Sequence, residues 1–573
     1  MIEMNLSRPL SGTRRRTFVR LCAIALAQAA FAAAAAFLVQ NIFDAIAQRG
    51  ADGGSVTAEL RALGMLASIG GALAWLRRME RITSESLGQA YVHAVRLALY
   101  DHLGRLTPRD LHKRGRGGHL LRFTGDLTAL RQWVSLGLAR LAVAVIVVSV
   151  SLGALIFIDP AIAAAIAASL LLGGGAVTLV GRALGNAMRE SRNRRARLAT
   201  DISERIAVMP VVQMFSQVRR ERARIARRSA TLRDAMMQRA RVIGTLRALT
   251  EATLSLAVVG ILAVGVYQVG HESARLGAIV AAMSVVGMLT PAVRDLGRVY
   301  EYWHAYGVAM NRIRSFLEQR PSVPAGSTSR HALRDGAGAI QFDDVTFGAV
   351  LNRIRAHAAP GTVIGLTGAN GSGKSTLLSL VARLIEPDSG RILIDGCDIS
   401  ECSTRSVRAA IGVVSADLPL MRGTIRRNVC YRHPKASEDE IARVCALCGV
   451  DEIAARIPGG LDARVVEGGA NLSLGERQRI ALARALIGSP RILLLDEVDA
   501  HMDPQSTRVI DRVLSEYRGT VIFVSHRAER ITQADEIWHL AGGVIAEMGP
   551  PARVLSRDGA TRRLLRPAPV HAA

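Results

Sequence analysis

A chain of 573 residues is too long for one hydrophobic core, so at least two domains are expected. Half of the residues are hydrophobic and the mean hydropathy is +0.23, yet 21% are charged. Apolar and polar residues must therefore be segregated into blocks, the pattern of a membrane domain joined to a soluble one. The net charge of +25 is almost wholly arginine, the lysines being Lys113, Lys374 and Lys435. Loops facing an anionic membrane surface account for it better than nucleic acid does. Six cysteines do not make a disulfide framework: Cys22 lies in an apolar run and the others follow residue 396. Cys445 and Cys448 form a lone CxxC with no second pair at a zinc spacing, and read as helix packing.

Six apolar runs approach the roughly 20 helical residues that a bilayer requires. They are about 21–43, 59–76, 138–158, 160–181, 248–269 and 276–293. Asp159 followed by Pro160 fits an N-cap and first helical residue, so a tight turn separates the third and fourth. The N-terminus (Arg8, Arg14, Arg15, Arg16, Arg20) and the segments 77–137 and 182–247 are rich in arginine, whereas the connections after the first, third and fifth runs are short. The positive-inside rule therefore puts all three basic segments on the cytoplasmic side with the C-terminal half. Trp75 and Trp133, beside arginines, are expected in an interfacial belt. A cleavable signal peptide over residues 1–36 is the competing reading, and it would place the C-terminal half outside the cell.

Residues 182–247 read as two charged helical arms interrupted at Pro210 by the apolar patch Val211–Ser216. Arms of about 30 residues would each reach roughly 45 Å and carry that patch far from the bilayer. Residues 77–137 repeat the plan, with Pro108 and a glycine-rich stretch near the break. An apolar tip left exposed is best explained by docking onto another domain.

Residues 319–338 read as a linker, and from Ile340 strand-like runs alternate with helical patterns, as in an α/β domain. The strand Val363–Thr367 leads into Gly368-Ala-Asn-Gly-Ser-Gly373-Lys374-Ser375 and then a helix, the GxxxxGK[ST] phosphate loop in its required setting. Gly368, Asn370, Gly371, Ser372, Gly373, Lys374, Ser375 and Thr376 are thus the nucleotide-binding candidates. Backbone amides close around the phosphates, Lys374 reaches the β- and γ-phosphates, and the Ser375 hydroxyl ligates Mg2+. The strand of 491–497 ends in Asp496, suited to Mg2+, and Glu497, suited to orienting the attacking water. His526 ends another strand, placed to hydrogen-bond the γ-phosphate. Lys374, Glu497 and His526 are the catalytic candidates; ATP and Mg2+ are the implied cofactors.

With those motifs stands 471–503, in which NLSLGERQRIALARAL leads into the Asp496 strand and on to Asp503. This stretch is similar to the LSGGQ signature, Walker B strand and D-loop of ATP-binding cassette (ABC) transporters. The segment 118–133 resembles an intracellular segment of their exporters, and the likeness to exporter-type half-transporters covers nearly the whole chain. It implies an all-α six-span transmembrane bundle with long cytoplasmic helical extensions (1–318), the linker, an α/β P-loop NTPase domain (339–565) and a tail (566–573). It implies a second half-transporter, with ATP held between the Walker motifs of one chain and Ser473 and Gly475 of the other. Residues 108–118 and 211–216 become coupling elements, and the implied activity is ATP-driven export of an amphipathic or lipid-like substrate from a bacterial inner membrane.

The sequence departs from that pattern. Ala416 stands where the family has its Q-loop glutamine, and Ala349 where an aromatic stacks on adenine. That leaves Phe347 or a nearby side chain to take over, or a weaker hold on the base. Leu474 and Glu476 replace a glycine and a glutamine of the signature. Two readings follow: a working ATPase, or the weaker or regulatory half of a heterodimer. Arg140 and Glu251, ionisable groups within apolar runs, are candidate cavity residues unless they pair near the interface.

Overall fold

The structure, a computed structural model, describes residues 9–49, 57–106, 122–270, 276–318, 331–498 and 504–565. The chain divides after Arg320 into two compact units. The expected coupling element 108–118, the D-loop residue Asp503 and the tail lie outside the described residues.

The first unit is helical: α1 (Thr13–Arg49), α2 (Thr57–Leu103), α3 (Arg122–Ile158), α4 (Pro160–Ala207), the short α5 (Met209–Met214), α6 (Val218–Gly270) and α7 (Leu276–Leu317). Five of them, α1, α3, α4, α6 and α7, are long and apolar enough to cross a membrane among the described residues. The expected second span falls on α2, one continuous helix of 47 residues whose apolar stretch is diluted by Glu59, Arg61 and glycines. Asp159 caps α4 as expected, its Oδ1 accepting from the amides of Ala161 (2.9 Å) and Ile162 (3.0 Å), with Pro160 in the first turn. Its Oδ2 accepts from Gln268 of α6 at 2.6 Å, fastening the far end of a second helix to the same turn. Small residues let the bundle close: Ala25, Ala29 and Ala36 of α1 are fully buried, as are Ala281 and Ala282 of α7, and Ala278 nearly so. Trp75 is exposed, as a belt residue would be, but Trp133 is buried and packs edge-on against Trp303.

Helices α4 and α6 run side by side well past their apolar ends and are joined through α5, which starts at Met209 with Pro210 in its first turn. Val211, Met214, Phe215 and Val218 are all more than half exposed there, while Val212 is tucked in.

The second unit is α/β. A four-stranded antiparallel sheet has the order β2 (Leu351–Ala358), β1 (Ile340–Phe347), β4 (Ser389–Ile394), β5 (Cys397–Asp398). A six-stranded sheet has the order β12 (Val544–Gly549), β11 (Glu536–Ala541), β3 (Val363–Thr367), β10 (Thr520–Val524), β9 (Ile492–Asp496), β6 (Ile411–Val414). The strands from β11 to β6 are parallel and β12 is antiparallel. A small pair, β7 (Gly423–Thr424) with β8 (Arg464–Val465), lies apart from both. Buried strands β3, β9 and β10 read as unbroken apolar runs because both faces are covered. Ahead of β1, His331 bridges to Cys402 and Leu333 is buried, so the packed chain begins before the first strand. Cys445 and Cys448 are buried free thiols, burial pushing Cys445 up to about 11, in keeping with helix packing.

Candidate functional site: a phosphate loop facing two carboxylates

Register sets the site. Val524 of β10 pairs with Leu366 of β3 on one side and with Asp496 of β9 on the other, so the ends of three parallel strands lie level. Chain segments leaving such an edge face a common crevice. They carry the phosphate loop, Glu497 and His526.

The loop's glycines are used for shape. Gly368, Gly371 and Gly373 have φ of +147°, +80° and +108°, regions that other residues rarely enter. A methyl group on Gly368 would collide with the Leu540 carbonyl oxygen, and one on Gly373 would lie 2.8 Å from the Leu351 side chain. Helix α8 (Lys374–Val381) starts directly behind, its free amides facing the loop. Lys374 is buried and folds back, its Nζ donating to the carbonyls of Gly368 (2.9 Å) and Ala369 (3.0 Å). Burial holds its ammonium below the ordinary lysine range, while the carboxylates of Glu497 and Asp496 pull it back up. Asp496 moves the other way: burial raises it, the Ser375 hydroxyl opposes the rise, and Glu497 and Asp417 add to it. Its Oδ1 is buried without a partner among the described residues. An orphaned carboxylate oxygen beside the Ser375 hydroxyl fits a Mg2+ ion, which takes one or two protein oxygens and phosphates for the rest.

Glu497 follows with φ +52°, a left-handed conformation that costs a non-glycine residue about 1–3 kcal/mol. This turn sends its carboxylate away from the strand, where Oε1 lies 3.6 Å from His526 Nε2. The sequence-derived catalytic and metal candidates thus converge on one edge.

Ser473 is the N-cap of α9 (Leu474–Leu486). Its Oγ accepts from the Glu476 amide at 3.2 Å, and Glu476 Oε2 accepts from the Ser473 amide at 2.9 Å. This is a capping box, so Glu476 has a structural reason to stand at that position. Ser473→Ala should lower the thermal unfolding midpoint of this unit by a few degrees, the loss of a cap of about 1 kcal/mol. An unchanged midpoint would mean that the box adds nothing. Gly475 is buried in the first turn.

The departures have structural outcomes. Ala416 lies on the exposed loop after β6 and, with Leu474, Gln478, Asp496 and Glu497, walls a cavity of about 290 Å3. Ala349 sits in a tight turn in which Val350 donates to the Phe347 carbonyl at 3.1 Å. The Phe347 side chain is partly buried and packs on one side against the core around β1, β2 and β4. Sequence reasoning missed Asp417, one residue past Ala416, whose charge reaches Asp496; its acidic side chain so close to the missing glutamine was the available signal. In the first unit Arg140 pairs with Asp295 at 2.7 Å and lines a cavity. Glu251 lines a different one and takes two hydrogen bonds from Arg294, at 2.7 and 3.0 Å.

Comparison with known proteins agrees with this geometry. The family profile described as ABC transporter transmembrane region matches residues 19–293, and that described as ABC transporter matches 351–500. The chain is 35% identical over 317 residues to the cyclolysin secretion/processing ATP-binding protein CyaB of Bordetella pertussis, a match covering 54% of this chain and 44% of CyaB. It therefore spans less than half the length of that relative. The ATP-dependent lipid A-core flippase of Thiobacillus denitrificans is 29% identical over 482 residues, 82% of this chain and 83% of the flippase. A fatty acid ABC transporter ATP-binding/permease protein of Mycobacterium bovis is 28% identical over 485 residues, covering 82% and 75%. In fold, a bacterial Atm1-family ABC exporter with ATP bound superposes at a TM-score of 0.85, covering 96% of this chain and 99% of that one at 24% identity. With its apolar helices and its cassette fused in one polypeptide, the chain is a multi-pass membrane protein that belongs to the ABC transporter family.

Proposed function

We propose that the chain is one half of an ATP-driven exporter of an amphipathic or lipid-like substrate, working as a dimer in a bacterial inner membrane with its cassette in the cytoplasm. The observation that carries this reading is the meeting of Lys374, Ser375, Asp496, Glu497 and His526 at one sheet edge. In it, Lys374 exchanges its two loop carbonyls for β- and γ-phosphate oxygens. Mg2+ held by Ser375 and Asp496 would neutralise charge on those phosphates. Glu497 accepts a hydrogen bond from the attacking water and aims it at the γ-phosphorus, and His526 donates to the γ-phosphate. Ser473 and Gly475 reach ATP held by the partner's cassette, so a single chain is half of the working site. The exposed apolar tip at α5 is the element through which the helical unit takes up cassette movement. Relatives named for lipid A-core and fatty acid support an amphipathic cargo.

Purified alone into lipid nanodiscs, the chain should hydrolyse ATP, and removal of Mg2+ with a chelator should stop it. ATP binding without turnover would overturn the homodimer. It would favour the second reading, a weak half of a heterodimer, which the substitutions Ala416 and Leu474 beside Glu497 favour. Ala416→Gln separates the two further. The cavity has room for the longer side chain, and one added hydrogen bond of about 1.4 kcal/mol at the water or metal raises turnover about tenfold. Unchanged turnover in that variant would show that the loop position does not limit hydrolysis.

A further inference from the structure

The cavity beside Arg140 has a chemistry of its own. Four helices build it, and five polar side chains enter it: Gln28 from α1, Arg77 and Glu80 from α2, Arg140 from α3 and Asp295 from α7. Two of these satisfy each other, Arg140 donating to Asp295 at 2.7 Å, with Arg298 4.0 Å from the same carboxylate. The other charges are not matched in this way. Among the described residues Glu80 is held only by the neutral amide of Gln28, at 3.0 Å. Arg77, three residues earlier on the same helix, makes no ion pair or hydrogen bond among the described residues. The cavity thus offers one cation and one anion, side by side, to whatever enters.

Its apolar wall has a consistent direction. Along α1 and α3, which run into the membrane from the basic side, Ala32 follows Gln28 and Val147 follows Arg140. Along α2 and α7, which run back out, Leu73 precedes Arg77 and Met288 precedes Asp295. On all four helices the apolar lining therefore lies toward the middle of the membrane and the polar lining toward the cytoplasmic end. On α2 the charged lining begins at Arg77, two residues past the exposed Trp75, so this end of the cavity stands at head-group level. At about 100 Å3 the space suits a head group rather than a whole amphiphile.

We propose that this cavity receives the zwitterionic head group of an amphiphile, its phosphate or carboxylate on Arg77 and its ammonium on Glu80, with the acyl chain directed along Leu73, Ala32 and Val147. The inference rests on the transport reading and narrows its cargo from amphipathic to zwitterionic.

The test uses the full chain in neutral maltoside micelles, which bring no competing lipid charge. Short-chain phosphatidylethanolamine, phosphatidylglycerol and diacylglycerol are titrated in turn, and binding is read by calorimetry. Phosphatidylethanolamine should bind at least tenfold more tightly than the other two. Arg77→Ala should weaken both phospholipids about tenfold, whereas Glu80→Gln should weaken phosphatidylethanolamine alone. Equal affinity for phosphatidylglycerol would overturn the zwitterionic assignment in the wild-type protein, whatever the variants' folding. So would wild-type affinity in both variants. ATP hydrolysis by the same wild-type sample keeps the two readings apart: hydrolysis with no lipid preference sinks only the head-group site, whereas a lipid preference without hydrolysis sinks only the homodimer and leaves the site standing.

Discussion

Glu497→Gln is expected to reduce ATP hydrolysis by about 10^2- to 10^4-fold, the range lost when a positioned general base is removed. ATP binding should survive. Asp496 and Ser375 keep their places, and Lys374 loses one of the two carboxylates that compete with phosphate for its ammonium. The glutamine matches glutamate in size, so the left-handed backbone at this position and the approach to His526 need not change. The amide can still donate to or accept from a water but cannot take its proton. Single-turnover hydrolysis alongside nucleotide binding, in nanodiscs, measures both quantities. Residual turnover above about one tenth of wild type would remove Glu497 from the catalytic role and leave His526 as the group to test next. If affinity for ATP fell with the rate, the carboxylate would be part of the binding site rather than of the chemical step.

How far the sequence disclosed this site depends on how local each determinant is. The phosphate loop was legible because its glycine spacing, preceding strand and following helix all lie within about twenty residues. Asp496 and Glu497 were legible for a related reason, since a five-residue apolar strand ends on them. The capping box was equally local, Ser473 and Glu476 being three apart, yet the glutamate was read as a departure from a signature rather than as an N-cap partner. Non-local pairings were out of reach. Nothing near Arg140 announces Asp295, 155 positions away, and only folding brings Gln28 to Glu80. Hydropathy gave a clear answer for α3, with its uninterrupted apolar run, and a weak one for α2, where charge and glycine thin the same signal. The packing of Phe347 was likewise tertiary: its ring rests, partly buried, against the core of the antiparallel sheet. Val350 and Leu351, at the start of β2, approach the loop at Gly373.

Gly368→Ala should be the most damaging single added methyl group in the phosphate loop. Two costs fall on it together. The φ of +147° is open to glycine and strained for alanine by about 1–3 kcal/mol. The added methyl must also share space with the Leu540 carbonyl oxygen, which belongs to β11 and is fixed by pairing with both β3 and β12. Backbone cannot rotate aside as a side chain does, so overpacking costs a further 1–3 kcal/mol or so. Against a total stability of about 5–15 kcal/mol that sum threatens the fold of the unit. The loop will instead tend to move off β11, and with it the two carbonyls to which Lys374 is anchored. Gly371→Ala is the control, because its φ is also positive, at +80°, but no atom lies within 4 Å of the added methyl. It should cost about 1 kcal/mol from backbone strain alone and leave the loop in place. Thermal unfolding with and without Mg-ATP reads both effects. Gly368→Ala should lower the midpoint and abolish the shift that nucleotide produces, while Gly371→Ala keeps most of each. If the two variants behaved alike, the contact with Leu540 would not be what shapes the phosphate loop.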